Sequence, residues 1–322
     1  MTKLATQAGS RAAVEALKPI TGPVPPAGAG HWTLGIVTGV GGTRRYRIFR
    51  PAGVKFGERL PLIVMLHGCQ QDAASFAAST RMNAVAVRER FLVLYPEQDR
   101  LSNPHGCWNW YDTKSGRAQA ELALIMQAVD QVCTLYAADR HRVAIAGLSA
   151  GASMAALLAT RHPERFSAAV MHSGIPPGTA HSALSAVGAM RGRRATNPAP
   201  TTPPSIAVSW PPLMVIHGEA DGVVSPENGR AAAHLWADAA NAGVGVQRAV
   251  QRGRRHPMKV TEYKRHGMTV ATLVEVARLG HSWSGGRANE RFSDAQGPDA
   301  SRMIWAFAAR QFALARPAHA AA

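Results

Sequence analysis

The chain has 322 residues with a formal net charge of +16, and 46% of it is hydrophobic against 17% charged. That composition excludes a disordered polyelectrolyte, and no apolar run approaches the roughly 20 residues a membrane span needs. Cysteine appears three times, at Cys69, Cys107 and Cys133, without a CxxC pair, which excludes the usual zinc and redox spacings.

Residues 1–30 are expected to form an extension and proline-rich linker, without the uninterrupted apolar core of a secretory leader. The segments "HWTLGIVT" and "RRYRIFRP", joined by "GVGG", predict an antiparallel hairpin. "LPLIVMLHG" is a continuous apolar run closed by glycine and predicts a fully buried strand. A helix is expected over about 72–90, the strand "FLVLYPEQ" next, and a helix over 117–138 on the period Leu122, Ile125, Met126, Val129, Val132, Leu135. The strand Val143–Ala146 hands over at Gly147-Leu148-Ser149-Ala150-Gly151 to a small-residue helix, followed by the strand "SAAVMHSG". Residues 175–212, rich in Pro, Thr, Ser and Arg, are expected as an insertion forming a lid or pocket wall. The alternation resumes with "PLMVIHG", a helix over about 226–242, the strand "TVATLVEVARLG" and a last helix over 299–314. Strand–helix alternation predicts an α/β domain over 31–316, with a mostly parallel sheet, helices on both faces and a short tail at 317–322.

The basic residues are spread along the chain, with clusters at "MRGRR" and "QRGRRHPMKV". No nucleic-acid-binding signature accompanies them, so a solvated basic face is expected and no specific nucleic-acid partner.

A G-x-S-x-G between a strand and a helix is where a sharp turn presents a serine hydroxyl at the sheet's C-terminal edge. A serine needs a base and an orienting carboxylate to become a nucleophile. In this arrangement they follow in the order acid, then histidine, each after a later strand. Asp221 in "PLMVIHGEADGVV" and His281 in "VARLGHSWSGG" satisfy that order, with Glu219 as rival acid and His266 as rival base. An oxyanion hole requires two backbone N–H donors. Ala150, after the serine, supplies one, and Cys69 in "VMLHGCQQD" the other, while His67 is read as a structural loop residue. Of the three cysteines, two can pair while the third is buried as a small hydrophobe. No metal or organic cofactor is expected.

The pieces "LHGCQQDAASFAASTRMNAVA", "FLVLYPEQ", "GCWNWYD", "AGLSAGASMAA", "HSGIP", "MVIHGEADGVV", "GHSWSGG" and "GPDASRMIWAF" resemble the polyhydroxybutyrate depolymerase family of esterases, in particular the type 1 catalytic domain of short-chain-length polyhydroxyalkanoate depolymerases. The resemblance implies an α/β-hydrolase fold and serine-ester hydrolysis of 3-hydroxybutyrate polymers or oligomers. By matching position it makes Ser149 the nucleophile, His281 the base and Asp221 the orienter, with Cys69 and Ala150 as the oxyanion hole. It also implies a Cys69–Cys107 bridge; two free thiols are the alternative. Feruloyl and acetyl-xylan esterases are neighbouring relatives, so esterases for soluble esters form a second expectation. A non-catalytic binding protein on the same fold is a third. Trp108, Trp110 and Trp283 are expected to contribute one or two substrate-lining rings. The missing leader points to the cytoplasm, whereas the resemblance and its disulfide point to the extracellular region. The sequence assigns no oligomeric state.

Overall fold

The computed structural model describes residues 29–193 and 209–314. The expected extension over 1–30 and the tail over 317–322 fall almost wholly outside the described residues, as does the middle of the 175–212 insertion.

Ten strands form one sheet: β1 (Gly30–Gly39), β2 (Gly42–Pro51), β3 (Leu60–Leu66), β4 (Leu92–Pro96), β5 (Ala138–Leu148), β6 (Ala168–His172), β7 (Leu213–Gly218), β8 (Gly243–Val250), β9 (Met258–Arg265) and β10 (Met268–Val276). Their order is β1-β2-β4-β3-β5-β6-β7-β10-β9-β8. The six strands from β4 to β10 run parallel. Antiparallel strands extend the sheet at both edges. Every residue of β3, β4, β6 and β7 is buried, as continuous apolar runs require when both faces are covered.

The two faces carry separate cores because strand side chains alternate. Leu62, Val64 and Leu66 of β3 join Leu122 and Ile125 of α3 (Arg117–Leu135), Met154 and Leu158 of α4 (Ala150–Arg161), and Trp236 of α6 (Glu227–Ala239). Ile63 and Met65 face the other way, onto Phe76 of α1 (Ala73–Thr80), Met82 of α2 (Met82–Glu89), and Ile304 and Phe312 of α7 (Ala300–Leu314). The remaining helix, α5 (Ala183–Met190), lies in the described part of the insertion and is capped by Ser182. Among the described residues no helix is long and apolar enough to cross a membrane.

Two expectations change. The helix over 72–90 is two helices, divided at Arg81, whose left-handed backbone (φ 58°) ends α1 with its N–H on Ala77 O. The segment 243–265, to which no strands were assigned, contributes β8 and β9. All but the last residue of β8 are exposed, so its side chains show neither an apolar run nor an in–out alternation.

The tightest constraint lies where α4 meets the sheet. A Cβ on Gly151 would stand 2.2 Å from Leu66 O and 2.4 Å from His67 O, and one on Gly147 would stand 2.3 Å from the Gly151 backbone. Gly151→Ala is therefore expected to destabilise the protein by about 3 kcal/mol, read as a lowered denaturant midpoint. Gly243→Ala, whose Cβ meets nothing within 4 Å, should stay within about 0.5 kcal/mol of wild type.

Candidate active site

Ser149 sits between the end of β5 and the first turn of α4 with φ 56° and ψ −120°, a conformation that non-glycine residues rarely hold without support. Support comes from three sides. Its N–H donates to His172 O at 2.9 Å, its carbonyl accepts from Ser153 N at 3.0 Å, and the glycines let β3 and α4 close around it. Its half-buried hydroxyl makes no hydrogen bond among the described residues.

Asp221, three residues beyond β7, is buried, and its Oδ2 accepts from His281 Nδ1 at 2.8 Å. Oδ1 accepts from Val223 N and Val224 N, both at 2.9 Å. His217 approaches Oδ2 at 3.5 Å while donating from Nε2 to Val224 O at 2.9 Å. Burial alone would raise the Asp221 carboxyl, but the neighbouring His217 and His281 rings and the backbone donor outweigh it and hold the group well below the usual carboxylate range. The Asp221–His281 pair is thus an ionised acceptor holding an imidazole in one orientation, and Nε2 makes no hydrogen bond among the described residues. Glu219 is exposed, and the other rival, His266, is exposed in the β9–β10 turn. Neither belongs to this cluster.

The loop after β3 lies against the serine: a Cβ on Gly68 would stand 3.6 Å from Ser149 Cβ. Among the described residues the N–H groups of Cys69 and Ala150 have no acceptor, and Ala150 begins a helix, whose first N–H groups are unpaired by construction. Cys69 is bonded to Cys107, 38 residues on, and Gln70 N donates to His105 O at 2.8 Å beside the bridge. Cys133 is a buried free thiol.

A buried polar network, which sequence reasoning missed, fixes this loop. Glu121 of α3 accepts from Gln98 Nε2 (2.6 Å), Asn109 N (2.9 Å) and Asn109 Nδ2 (2.7 Å). Gln98 N donates to His67 Nε2 at 3.0 Å, and Gln98 Nε2 also reaches Cys107 O at 2.9 Å. With Nε2 accepting, His67 carries its proton on Nδ1 and donates to Gly68 O at 2.8 Å. Burial pushes His67 down to about 4. His172, a buried structural histidine, stacks on Trp283 at 5.0 Å, and its Nε2 accepts from Ser284 N at 3.1 Å, tying the serine turn to the segment that follows His281. Burial pushes it down to about 3. The signal for Glu121 was a charged residue on the apolar period of α3; for His172 it was a histidine within a buried strand.

The aromatic expectation is narrowed at two of its three rings. Trp108 and Trp283 are fully buried; their indole N–H groups donate to His67 O (3.0 Å) and Ser301 Oγ (3.2 Å), so neither can offer a ring to a substrate. Trp110 is buried beside Tyr111, with 7% of its surface exposed. Among the described residues no three His, Cys, Asp or Glu side chains converge as a metal site.

The family model described as Esterase PHB depolymerase matches residues 44–251. Poly(3-hydroxyalkanoate) depolymerase C of Paucimonas lemoignei is 33% identical over 184 residues, 52% of this chain and 42% of that protein. Feruloyl esterase B of Neurospora crassa is 28% identical over 198 residues, 57% of this chain and 66% of that protein. The chain therefore spans less than two thirds of the length of either relative. Among solved structures, acetyl xylan esterase from Aspergillus awamori superposes with a TM-score of 0.63 at 20% identity, covering 77% of this chain and 94% of that one. With the sheet order above, that likeness establishes the α/β-hydrolase fold.

The buried histidines set an acid limit to stability. In the folded protein His67 and His172 stay neutral down to about 4 and 3, whereas unfolded they take up protons below about pH 6.5. Their contribution is complete above that value and is lost as pH falls toward the folded values, at about 1.4 kcal/mol per pH unit for each. The stability–pH slope between pH 6 and 4.5, from denaturant titrations, should be shallower by about that amount in His172→Gln.

Proposed function

Because the chain belongs to the Esterase PHB depolymerase family, we propose that it is a serine carboxylic-ester hydrolase that cleaves polyhydroxybutyrate or 3-hydroxybutyrate oligomers, with residues 31–316 as its catalytic domain. The observation that carries this reading is the 2.8 Å bond from His281 Nδ1 to the buried Asp221 carboxylate, found on the same sheet edge as the strained Ser149.

In this mechanism Ser149 Oγ attacks the ester carbonyl carbon while His281 Nε2 takes the hydroxyl proton. Asp221 keeps the other proton of the ring on Nδ1 and stabilises the imidazolium that forms. The carbonyl oxygen becomes an oxyanion and accepts from the N–H groups of Cys69 and Ala150, which have no internal acceptor to give up. Collapse of the tetrahedral intermediate breaks the ester C–O bond, and His281 returns the proton to the leaving alcohol. Water then attacks the acyl-serine by the same route and releases the acid. The polar network beneath Cys69 supports this assignment, because a donor aimed at a transient charge gains most when it need not reorganise.

One observation favours a second reading, an esterase for soluble esters. The burial of Trp108 and Trp283 removes two of the three rings expected to line the substrate cleft, and with them a broad aromatic surface for a long chain.

Release of soluble 3-hydroxybutyrate from amorphous polyhydroxybutyrate is expected from wild type and should disappear in Ser149→Ala. Release by Ser149→Ala at the wild-type rate would remove the serine from the mechanism. Wild-type cleavage of a short p-nitrophenyl ester without release from polymer would select the second reading. Asp221→Asn should lower kcat by about 10³–10⁴ with little change in KM, in steady-state assays of that ester.

A further inference from the structure

A cavity of about 430 Å³ opens on the face of the molecule carrying α1 and α2, between those helices and the residues after β11 (Trp283–Ser284). None of the residues assigned to ester hydrolysis lines it. Its apolar lining is alanine: Ala77, Ala78, Ala84, Ala288 and Ala295. Its polar lining comes from Arg81, Arg287 and Asn83.

Both arginines are exposed and, among the described residues, make no ion pair or side-chain hydrogen bond. Nearby carboxylates are already engaged, Asp294 by His256 and Asp299 by Arg302. Glu290, three residues beyond Arg287, pairs with neither arginine. Asn83 is 4% exposed and its Oδ1 accepts from Tyr95 OH at 2.8 Å. Its amide nitrogen, with two N–H donors, has no protein partner among the described residues and is the part left to the cavity. Arg81 also holds a left-handed backbone that glycine would adopt without strain, so the local fold gives no reason for arginine there. Two guanidiniums and an unspent amide, all donors, above an alanine floor describe a receptor for an anion with a small apolar body.

We propose that this cavity is a binding site for a short aliphatic carboxylate, held by Arg81, Arg287 and the Asn83 amide, with its alkyl part on the alanine floor. The site stands without the ester-hydrolase reading; only the identification of its ligand with the acid such an enzyme releases rests on that reading. Its walls also connect to the catalytic segments. Helix α1 is capped by Asp72, directly after the Cys69 loop, and Arg287 N, six residues beyond His281, donates to Ser79 O at 2.9 Å.

The test is calorimetric titration of the full chain with butyrate, 3-hydroxybutyrate, acetate and inorganic phosphate. Butyrate and 3-hydroxybutyrate are expected to bind at one site, butyrate about ten-fold tighter than acetate because it buries two more methylene groups. Phosphate, which has nothing for the alanine floor, should bind more weakly than butyrate. Arg287→Ala and Arg81→Gly are each expected to weaken butyrate about ten-fold or more. Arg81→Gly should hold or raise Tm, so its loss of binding is not loss of fold. Ser149→Ala should bind butyrate as wild type does, which separates failure of this site from failure of the hydrolase reading. Unchanged butyrate affinity in both arginine variants, or phosphate binding at least as tight as butyrate, overturns the proposal.

Discussion

The contact on which the candidate site depends is the approach of α4 to β3 without side chains between them. Gly151 lies where any Cβ would enter the carbonyls of Leu66 and His67, and Gly147 lies where one would enter Gly151. That closeness does two things together. It forces Ser149 into its positive-φ turn, and it brings the first N–H of α4 and the Cys69 loop to the same serine. Relaxing either glycine would move the helix outward and separate these groups. Local strain at a site persists only when its surroundings over-determine it. Here the surroundings are two buried strands and a hydrogen bond from the serine's own N–H to His172.

A second constraint acts on the loop rather than the serine. The segment from His67 to Gln71 and the one from Gln98 to Asn109 have no regular structure, so neither is held by a ladder. What holds them is the carboxyl group of Glu121, buried at 2% exposure and supplied with three donors from the second segment. Gln98 passes that order to His67, and His67 to Gly68. Arg44, also buried, bonds to Gln98 and stands over Trp108 at 5.6 Å. A buried carboxylate needs every lone pair occupied to be tolerable, and that same requirement fixes the groups that occupy them. The disulfide then joins the two segments covalently beside the proposed oxyanion donor.

Much of this was legible in the sequence because its signals are local. Continuous apolar runs such as Leu60–Leu66 mark strands buried on both faces, and a serine between glycines at a strand–helix junction marks a turn that only small residues allow. Asp221 and His281 were legible by order, each just beyond such a strand. What could not be read depends on partners distant in the chain. Trp108 and Trp283 carry no local sign that His67 O and Ser301 Oγ will receive their N–H groups, and so they looked available to a substrate. Strand β8 lies at the sheet edge with nearly all its side chains exposed, and Val244 and Val246 alternate with glycines rather than with polar residues, which reads as loop as readily as strand. The break at Arg81 was hidden for the opposite reason: an arginine stands where glycine usually signals the end of a helix.

The histidines around Asp221 show how burial assigns protons. His172, His217 and His281 all lie near one carboxylate, where a second imidazolium would compete with the one the proposed mechanism forms. His172 is kept neutral by burial and receives the Ser284 N–H on Nε2. His217 donates from Nε2 to Val224 O, and its buried Nδ1 has no partner among the described residues. His281 alone pairs a short bond to the carboxylate with partial exposure of its ring. The carboxylate is held ionised by its surroundings, His172 is held neutral by burial, and His281 is the ring whose Nδ1 bonds the carboxylate at 2.8 Å.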